Sequence, residues 1–453
     1  MDESSQPERG QQMHLGAFLF NLGNHIAAWR HPATPAGGLM DLGFYKRLAL
    51  AAERGCFDLV FHSDGVGIND TYPEIIGHTV TIRPEPISLL SALAAVTDRI
   101  GLAATISTTY NEPYAVARKL ATLDHLSGGR AAMNIVTSST GQEARNHGQD
   151  AHMEHAARYR RAAEFVDVVR GLWDSWEDGA IVGDQASGRF ADPSRVHHLD
   201  HRGAFFTVRG PLNVPRPPQG HPVLIQAGVS DAGQALAADV ADLVFTVNTD
   251  MAEAQARYAS LKLLAAKAGR TPGSPKIMPG LMPVVGRTRE EADAKYAALQ
   301  ALIPPEIAIP YLSDLVDHDL SAYPADGPLP SLAAINGGVG RLAMIQRLAR
   351  DGLTLGQVAH RMLLARGHWT VIGTPAKVAD EMERWFTGGA CDGFNILAPY
   401  HPGGLEDFVD LVVPELQRRG LFRREYAGHT LRDHLGLARP ANRFAALARA
   451  AAE

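Results

Sequence analysis

Residues 112–139, EPYAVARKLATLDHLSGGRAAMNIVTSS, compress a helix, a tight reversal and a buried strand into one short stretch. Pro113 stands in the first turn of a helical pattern that runs to Leu126, and Gly128-Gly129 stop it, the expected asymmetry of helix ends. The apolar run 131–136 then reads as a strand and breaks into Thr137-Ser138-Ser139-Thr140-Gly141. Small hydroxylated residues at the carboxyl end of a parallel strand sit where α/β barrels place their chemistry. Asn134, near the end of that strand, is thereby aimed at a ligand.

Working outward, the same alternation recurs. Short apolar runs at 14–20, 59–62, 101–106, 131–136, 222–226, 243–246, 277–285 and 393–397 read as strands. Segments of helical period at 42–54, 86–97, 113–126, 155–173, 232–238, 252–268, 375–386 and 405–418 separate or follow them. Eight βα units in one chain predict an α/β fold of the closed (β/α)8 TIM-barrel type rather than an open doubly wound sheet. A plain barrel needs about 250 residues, and the chain has 453. Two insertions are expected to absorb the excess, one at about 178–220, rich in His, Pro and Gly, and one at about 288–366 with helical patterns of its own. Loops of such length are usually lids or binding loops. The expected organisation is a disordered tail over 1–12, a single barrel domain over 13–437 carrying both insertions, and a C-terminal tail over 438–453. No internal repeat stands out.

Composition narrows the function. With 45% hydrophobic and 20% charged residues, the chain is globular with a large core. A net charge of −6 with scattered Lys and Arg leaves no footprint for nucleic acid. No run of about 18 apolar residues and no apolar leader occur, so neither a membrane span nor export is expected. Cys56 and Cys391 are too few for a disulfide framework and too far apart for metal-ligand spacing, and a cytoplasmic, reducing setting is expected.

Several motifs drop out on context. Gly338-Val339-Gly340-Arg341-Leu342-Ala343 follows no strand and fails as a dinucleotide loop. His152, Glu154 and His155 lack the HExxH spacing, so no metal site is expected there. His197, His198 and His201 lie in a Pro-rich insertion as surface or lid features, and no GxSxG elbow occurs. What remains is Gln226-Ala227-Gly228-Val229-Ser230-Asp231-Ala232-Gly233, which ends a strand and opens a helix. Its backbone N–H groups and the Ser230 hydroxyl favour an anion, although Gly228 also suits an ordinary tight turn. HAARYRRAAEF supplies Tyr159, Arg158 and Arg160 at the start of another helix.

MHLGAFLF, the Trp29-Arg30-His31 segment, RGCFDLVFHSDG, GLAATISTTYNEPYAVARKLATLDHLSGGRAAMNIVTSS, EARNHG, RGPLNVPRPPQGHPVLIQAG and YAGHTLRDHLGL together resemble the bacterial-luciferase-like flavin-dependent monooxygenases. Within them the chain is similar to the branch containing nitrilotriacetate, EDTA and dibenzothiophene-sulfone monooxygenases, over residues 13–437. The resemblance implies a luciferase-like barrel that receives FMN as FMNH2 from a separate NAD(P)H:flavin reductase, uses O2 and acts on a small-molecule substrate. It carries cofactor contacts onto Asp64, Thr105, Ser107, Asn134 and Thr137 for the ring and ribityl chain, and onto His155, Tyr159, Gly228 and Ser230 for the phosphate.

Flavin-borne chemistry needs no side-chain nucleophile. Phe18, His25 and His318 are the candidates for a role beside it, His318 on a lid over 304–334. Asn24, Arg30, Phe61 and Arg361 are substrate candidates, with His31 and Arg366 as further positive charge for a carboxylated compound. The expected reaction is oxygenation and cleavage of a C–S or C–N bond in an aminopolycarboxylate or a carboxyalkyl- or succinyl-cysteine thioether. An aromatic sulfone substrate, F420-dependent hydride transfer on the same barrel, and flavin binding without turnover are the alternatives. A homodimer or homotetramer is expected, paired through 88–96.

Overall fold

The computed structural model describes residues 12–68, 71–228, 230–332 and 339–450. Eight parallel strands close on themselves: β1 (His14–Leu19), β2 (Leu59–His62), β3 (Gly101–Ser107), β4 (Ala131–Val136), β5 (Val223–Gln226), β6 (Leu243–Thr246), β7 (Lys276–Val285) and β8 (Gly393–Ile396), with β8 pairing back to β1. Each strand read from the sequence is one of these, to within one residue at either end. Side chains divide by the period of two. Leu59, Phe61, Val223, Ile225, Leu243 and Phe245 fill the barrel interior, while Val60, Met133 and Leu224 face the larger layer between strands and helices. Leu431 and Leu435 join the interior core from below. Gly101 lets Leu431 approach, since a Cβ there would lie 2.6 Å from its Cδ1.

The tetrapeptide Asp-Leu-Val-Phe occurs twice, at 58–61 and 242–245. In both copies the aspartate stands buried at the amino end of its strand and accepts a backbone N–H from the strand before it. Asp58 takes Leu15 N at 2.7 Å and Asp242 takes Leu224 N at 3.1 Å. Asp392, just ahead of β8, treats Ile277 N the same way at 2.7 Å. Each has a cation, Arg423 for Asp58, Arg432 and Arg270 for Asp242, and Lys262 for Asp392, and the His14 ring nitrogen also meets Asp58 at 3.0 Å.

The insertions lie on opposite faces. The first leaves the end of the helix His155–Trp173 and returns at β5, so it lies at the amino ends of the strands and is not a lid. It folds as two hairpins, Ile181–Asp184 with Arg189–Ala191 and His201–Arg202 with Thr207–Val208. Its histidines are structural: His197 meets Glu177 at 2.7 Å, His198 meets Gly210 O at 3.0 Å and His201 meets Glu164 at 3.1 Å. The segment expected as a C-terminal tail is tied to the base of this insertion by Arg439 on Asp178 (2.7 Å) and Asn442 on Asp174 O (2.7 Å).

The second insertion covers the carboxyl ends. Its helices Ala308–Val316, Val339–Arg350 and Leu355–Ala365 bury a core of their own, built from Leu312, Leu320, Ile345, Val358 and Met362. It ends in a ninth strand, Trp369–Gly373, added to the outer half of β7, while β8 pairs with the inner half and keeps the barrel closed. Gly338 of the discarded glycine motif, residues 1–11 of the predicted N-terminal tail, and Val229 lie outside the described residues. Among the described residues no helix is long and apolar enough to cross a membrane, and no group of three or more His, Cys, Asp or Glu is placed to hold a metal ion.

Candidate functional site

A polar rung crosses three strands at the upper rim. Thr105 and Asn134 are register partners on β3 and β4. The Thr105 hydroxyl donates to His62 O at 2.8 Å, so its oxygen must accept the second bond, from Asn134 Nδ2 at 3.0 Å. That network fixes the amide's orientation. Asn134 Oδ1 is then buried with no donor in reach, a cost of about 1–3 kcal/mol that a ligand N–H removes. Ser107, two residues further along β3, bonds the Ser138 hydroxyl at 2.9 Å, and Ser138 in turn donates to Glu143 at 3.2 Å. Asp64, half-buried after β2, accepts Gly65 N at 2.8 Å; burial raises its pKa above the ordinary carboxylate range.

Beside the rung opens a cavity of about 780 Å³ whose wall includes Thr137, His155, Tyr159, Gly228 and Ser230. Ser230 caps the helix Asp231–Val240, its oxygen accepting Gly233 N at 3.2 Å, which leaves the hydroxyl proton to donate outward. Gly228 is needed for closeness: a Cβ there would lie 2.8 Å from the Tyr159 hydroxyl and 2.9 Å from Gly233 Cα. Five arginines, Arg158, Arg257, Arg347, Arg350 and Arg366, line the cavity against a single carboxylate, Glu253. A helix N-terminus, a donor hydroxyl and a cation excess suit a phosphate, and the unpartnered Asn134 oxygen suits the ring N–H of a flavin. The residues present fit FMN.

The centre of the rim is aromatic. Phe18 packs on Phe61 at 5.0 Å and on Phe245 at 5.7 Å between ring centroids, and His368 stacks on Phe245 at 5.4 Å. Phe18 and Phe61 were expected at this mouth. Phe245 and His368 were not, although the repeated Asp-Leu-Val-Phe places Phe245 where the first copy places Phe61. His25 is held neutral: burial first, then the charges of Arg366 and His360, lower its pKa to about 4. Its Nδ1 accepts Ala27 N at 3.2 Å, so the proton resides on Nε2, which is buried without a partner. Asn24 donates to Ala365 O at 3.4 Å and keeps a buried Oδ1 unpartnered.

Three expected residues stand apart from this assembly. Arg30 is exposed and donates to Leu302 O at 2.5 Å, Arg361 is exposed on the outer face of its helix, and His318 is exposed beyond the end of Ala308–Val316. The insertion reaches the mouth instead through Tyr311, whose hydroxyl accepts Arg366 Nη1 at 2.8 Å.

A closed barrel with a phosphate-type cradle beside an aromatic, partly unsatisfied rim defines an α/β-barrel enzyme built around a phosphorylated planar ligand. The chain belongs to the luciferase-like monooxygenase family, whose model matches residues 17–391, and it is a flavin-dependent monooxygenase. It is 48% identical over 440 residues to N-acetyl-S-(2-succino)cysteine monooxygenase of Bacillus subtilis (strain 168), covering 96% of this chain and 99% of that one. It is 47% identical over 447 residues to nitrilotriacetate monooxygenase component A of Aminobacter aminovorans, covering 96% and 98%. Among solved structures, a riboflavin lyase crystallised with modified FMN and riboflavin superposes with a TM-score of 0.86 at 32% identity, over 94% of this chain and 96% of that one. The branch read from the sequence therefore holds.

Proposed function

We propose that this chain is the oxygenase component of a two-component system. It takes FMN in reduced form from a separate NAD(P)H:flavin reductase and, with O2, oxygenates and cleaves a C–S or C–N bond in a small carboxylated compound. The observation that carries the reading is the arginine-rich cavity ending in Ser230 and Gly228, set beside the unpartnered Asn134 oxygen. Ser230, Gly228, Tyr159 and His155 hold the phosphate, while Thr137, Ser107, Asp64 and the Thr105–Asn134 rung orient the ring and ribityl chain. When bound, reduced flavin supplies the electrons that activate oxygen.

The protein's own part is orientation and dryness. Phe18, Phe61 and Phe245 give an apolar floor, His25 keeps a proton on Nε2 at the mouth, and the second insertion keeps water from the reacting groups. Relatives that act on succinylated cysteine and on nitrilotriacetate support a carboxylated substrate. The aromatic floor favours one competing reading, an aromatic sulfone. Exposed Ser88 and half-buried Ala92 of the helix Pro86–Ala94, with exposed Ala95 at its end, form the small-residue face for a homodimer or homotetramer.

Oxygen uptake with NADH, FMN, a generic flavin reductase and catalase tests the reading. N-acetyl-S-(2-succino)cysteine or nitrilotriacetate should raise uptake and release fragments detectable by mass spectrometry. Uptake ending wholly as hydrogen peroxide with both, or turnover of dibenzothiophene sulfone alone, overturns the carboxylated-substrate reading.

A further inference from the structure

Phe20, two residues beyond Phe18, carries two guanidiniums on one ring. Arg83 Cζ lies 5.3 Å and Arg366 Cζ 4.5 Å from its centroid. Arg83 comes from the loop after β2, and Arg366 from the left-handed end, φ 53°, of the helix Leu355–Ala365. Such a backbone conformation is uncommon outside glycine, and here it turns the side chain toward the barrel mouth.

Among the described residues, neither cation is ion-paired. Arg216, Arg423 and Arg432 at the other end of the barrel all pair with aspartates. Among the described residues, no ion pair joins Arg83 or Arg366 to any carboxylate, and the Nε of each is buried without an acceptor. The hydrogen bond from Arg366 goes to the neutral Tyr311 hydroxyl. Burial first, and then the charge of Arg366, lowers the pKa of Arg83; Asp64 and Glu143 each act on it less strongly, in the opposite direction. Two like charges brought together in a half-dry place destabilise the empty protein, and an anion placed between them reverses the sign. Guanidinium, with its planar fork and its preference for aromatic faces, is the cation suited to carboxylates held on such a ring.

We propose that Arg83 and Arg366, converging on Phe20, form a specificity clamp for the substrate's carboxylates, and that a compact dicarboxylate, one carboxylate to each guanidinium, is the group it takes. This rests on the carboxylated-substrate reading above and names the residues that enforce it. The clamp adjoins the Phe18 floor, whose ring stacks on Phe20 at 5.6 Å, so the carbon next to the anchored carboxylates sits over the apolar part of the mouth. An uncharged substrate gains nothing from the pair.

Calorimetric titration of the full-length, FMN-loaded protein with N-acetyl-S-(2-succino)cysteine and with its trimethyl ester is the test. The acid should bind wild type, and Arg83→Gln and Arg366→Gln should each weaken it by about tenfold or more. In Arg83→Gln KM should rise with kcat nearly unchanged, whereas Arg366→Gln, whose side chain also lines the arginine-rich cavity, is read by acid binding alone; the ester should bind all three proteins alike. Arg83 is not part of the wall of the arginine-rich cavity, so unchanged FMN affinity in Arg83→Gln shows that the variant is folded and its flavin site intact. Arg83→Lys should recover only part of the loss. No binding of the acid to wild type, or equal binding to wild type and both Gln variants, overturns the clamp. Lost binding in the variants with no oxygenation by wild type keeps the clamp and removes the proposed reaction; oxygenation with an unchanged KM in Arg83→Gln does the reverse.

Discussion

The two ends of the barrel treat their buried charges differently, although the His434 ring nitrogens are unpartnered at the amino end too. At the amino end Asp58, Asp124, Asp174, Asp242 and Asp392 are all bonded, to arginine, lysine, glutamine or strand N–H groups at 2.6–3.2 Å where the bond is of ordinary length. At the carboxyl end Asn24 Oδ1, His25 Nε2, Ser63 Oγ, Asn134 Oδ1 and the Nε of Arg83 and Arg366 are buried without partners. Each such group costs about 1–3 kcal/mol until something answers it. The difference teaches where this fold keeps its stability and where it keeps its function: saturated charges hold the strands in register below, and unsaturated groups above await a ligand.

The largest effect should come from breaking the saturated end. Asp242→Ala strips the counter-charge from buried Arg432 and the acceptor from Leu224 N, at a cost of about 3–5 kcal/mol in chemical unfolding. The folded fraction should bind FMN as wild type does. At the other end the order reverses. Ser230→Asp keeps a good helix cap but sets a carboxylate against a phosphate, and anaerobic titration should show reduced FMN bound about 100-fold more weakly with little change in unfolding. Asn134→Ala should weaken the same binding by about tenfold. If Asn134→Ala instead destabilises the protein as much as Asp242→Ala, the contrast between the ends disappears.

How much of this was legible in the sequence follows from the same geometry. Parallel strands covered on both faces read as continuous apolar runs, which is why all eight boundaries came out. The Ser230 cradle was legible because cap, glycine and strand end are neighbours in sequence. The first insertion was left open between a surface feature and a lid although topology settles its side: it follows a helix and precedes a strand, so it belongs to the amino end, whereas the second follows β7 and belongs above. His318 and Arg361 were misjudged because the insertion has a second hydrophobic core, and nothing local says which helical face turns to that core and which to the barrel. Arg83, in a loop before a proline, carries no periodic signal at all; only the fold brings it to Phe20.

The smallest effect at neutral pH belongs to His25, and there the two ends separate by titration. Burial and the charges of Arg366 and His360 place His25 at about 4 in the folded protein against an ordinary 6.5. The folded state therefore binds fewer protons than the unfolded one, so the contribution of neutral His25 is complete above pH 6.5 and is lost as pH falls toward 4. At the amino end burial raises Asp58, but the charges and hydrogen bonds of Arg423 and His14 outweigh it and leave the carboxyl at about 2 against an ordinary 3.8. Its contribution is complete above about pH 4 and is lost between there and pH 2. Unfolding free energy measured against pH should thus fall in two stages, and His25→Gln should flatten only the upper one. His62 and His401 above, and His434 below, are also lowered to about 4, so the variant rather than the wild-type curve makes the assignment. Because the His25 ring is uncharged throughout the working range, kcat/KM should show no inflection from it between pH 6.5 and 8. An inflection near 6.5 that His25→Gln abolishes would mean that the imidazole carries charge during turnover, and the carboxyl end would then hold a paired ion like those below.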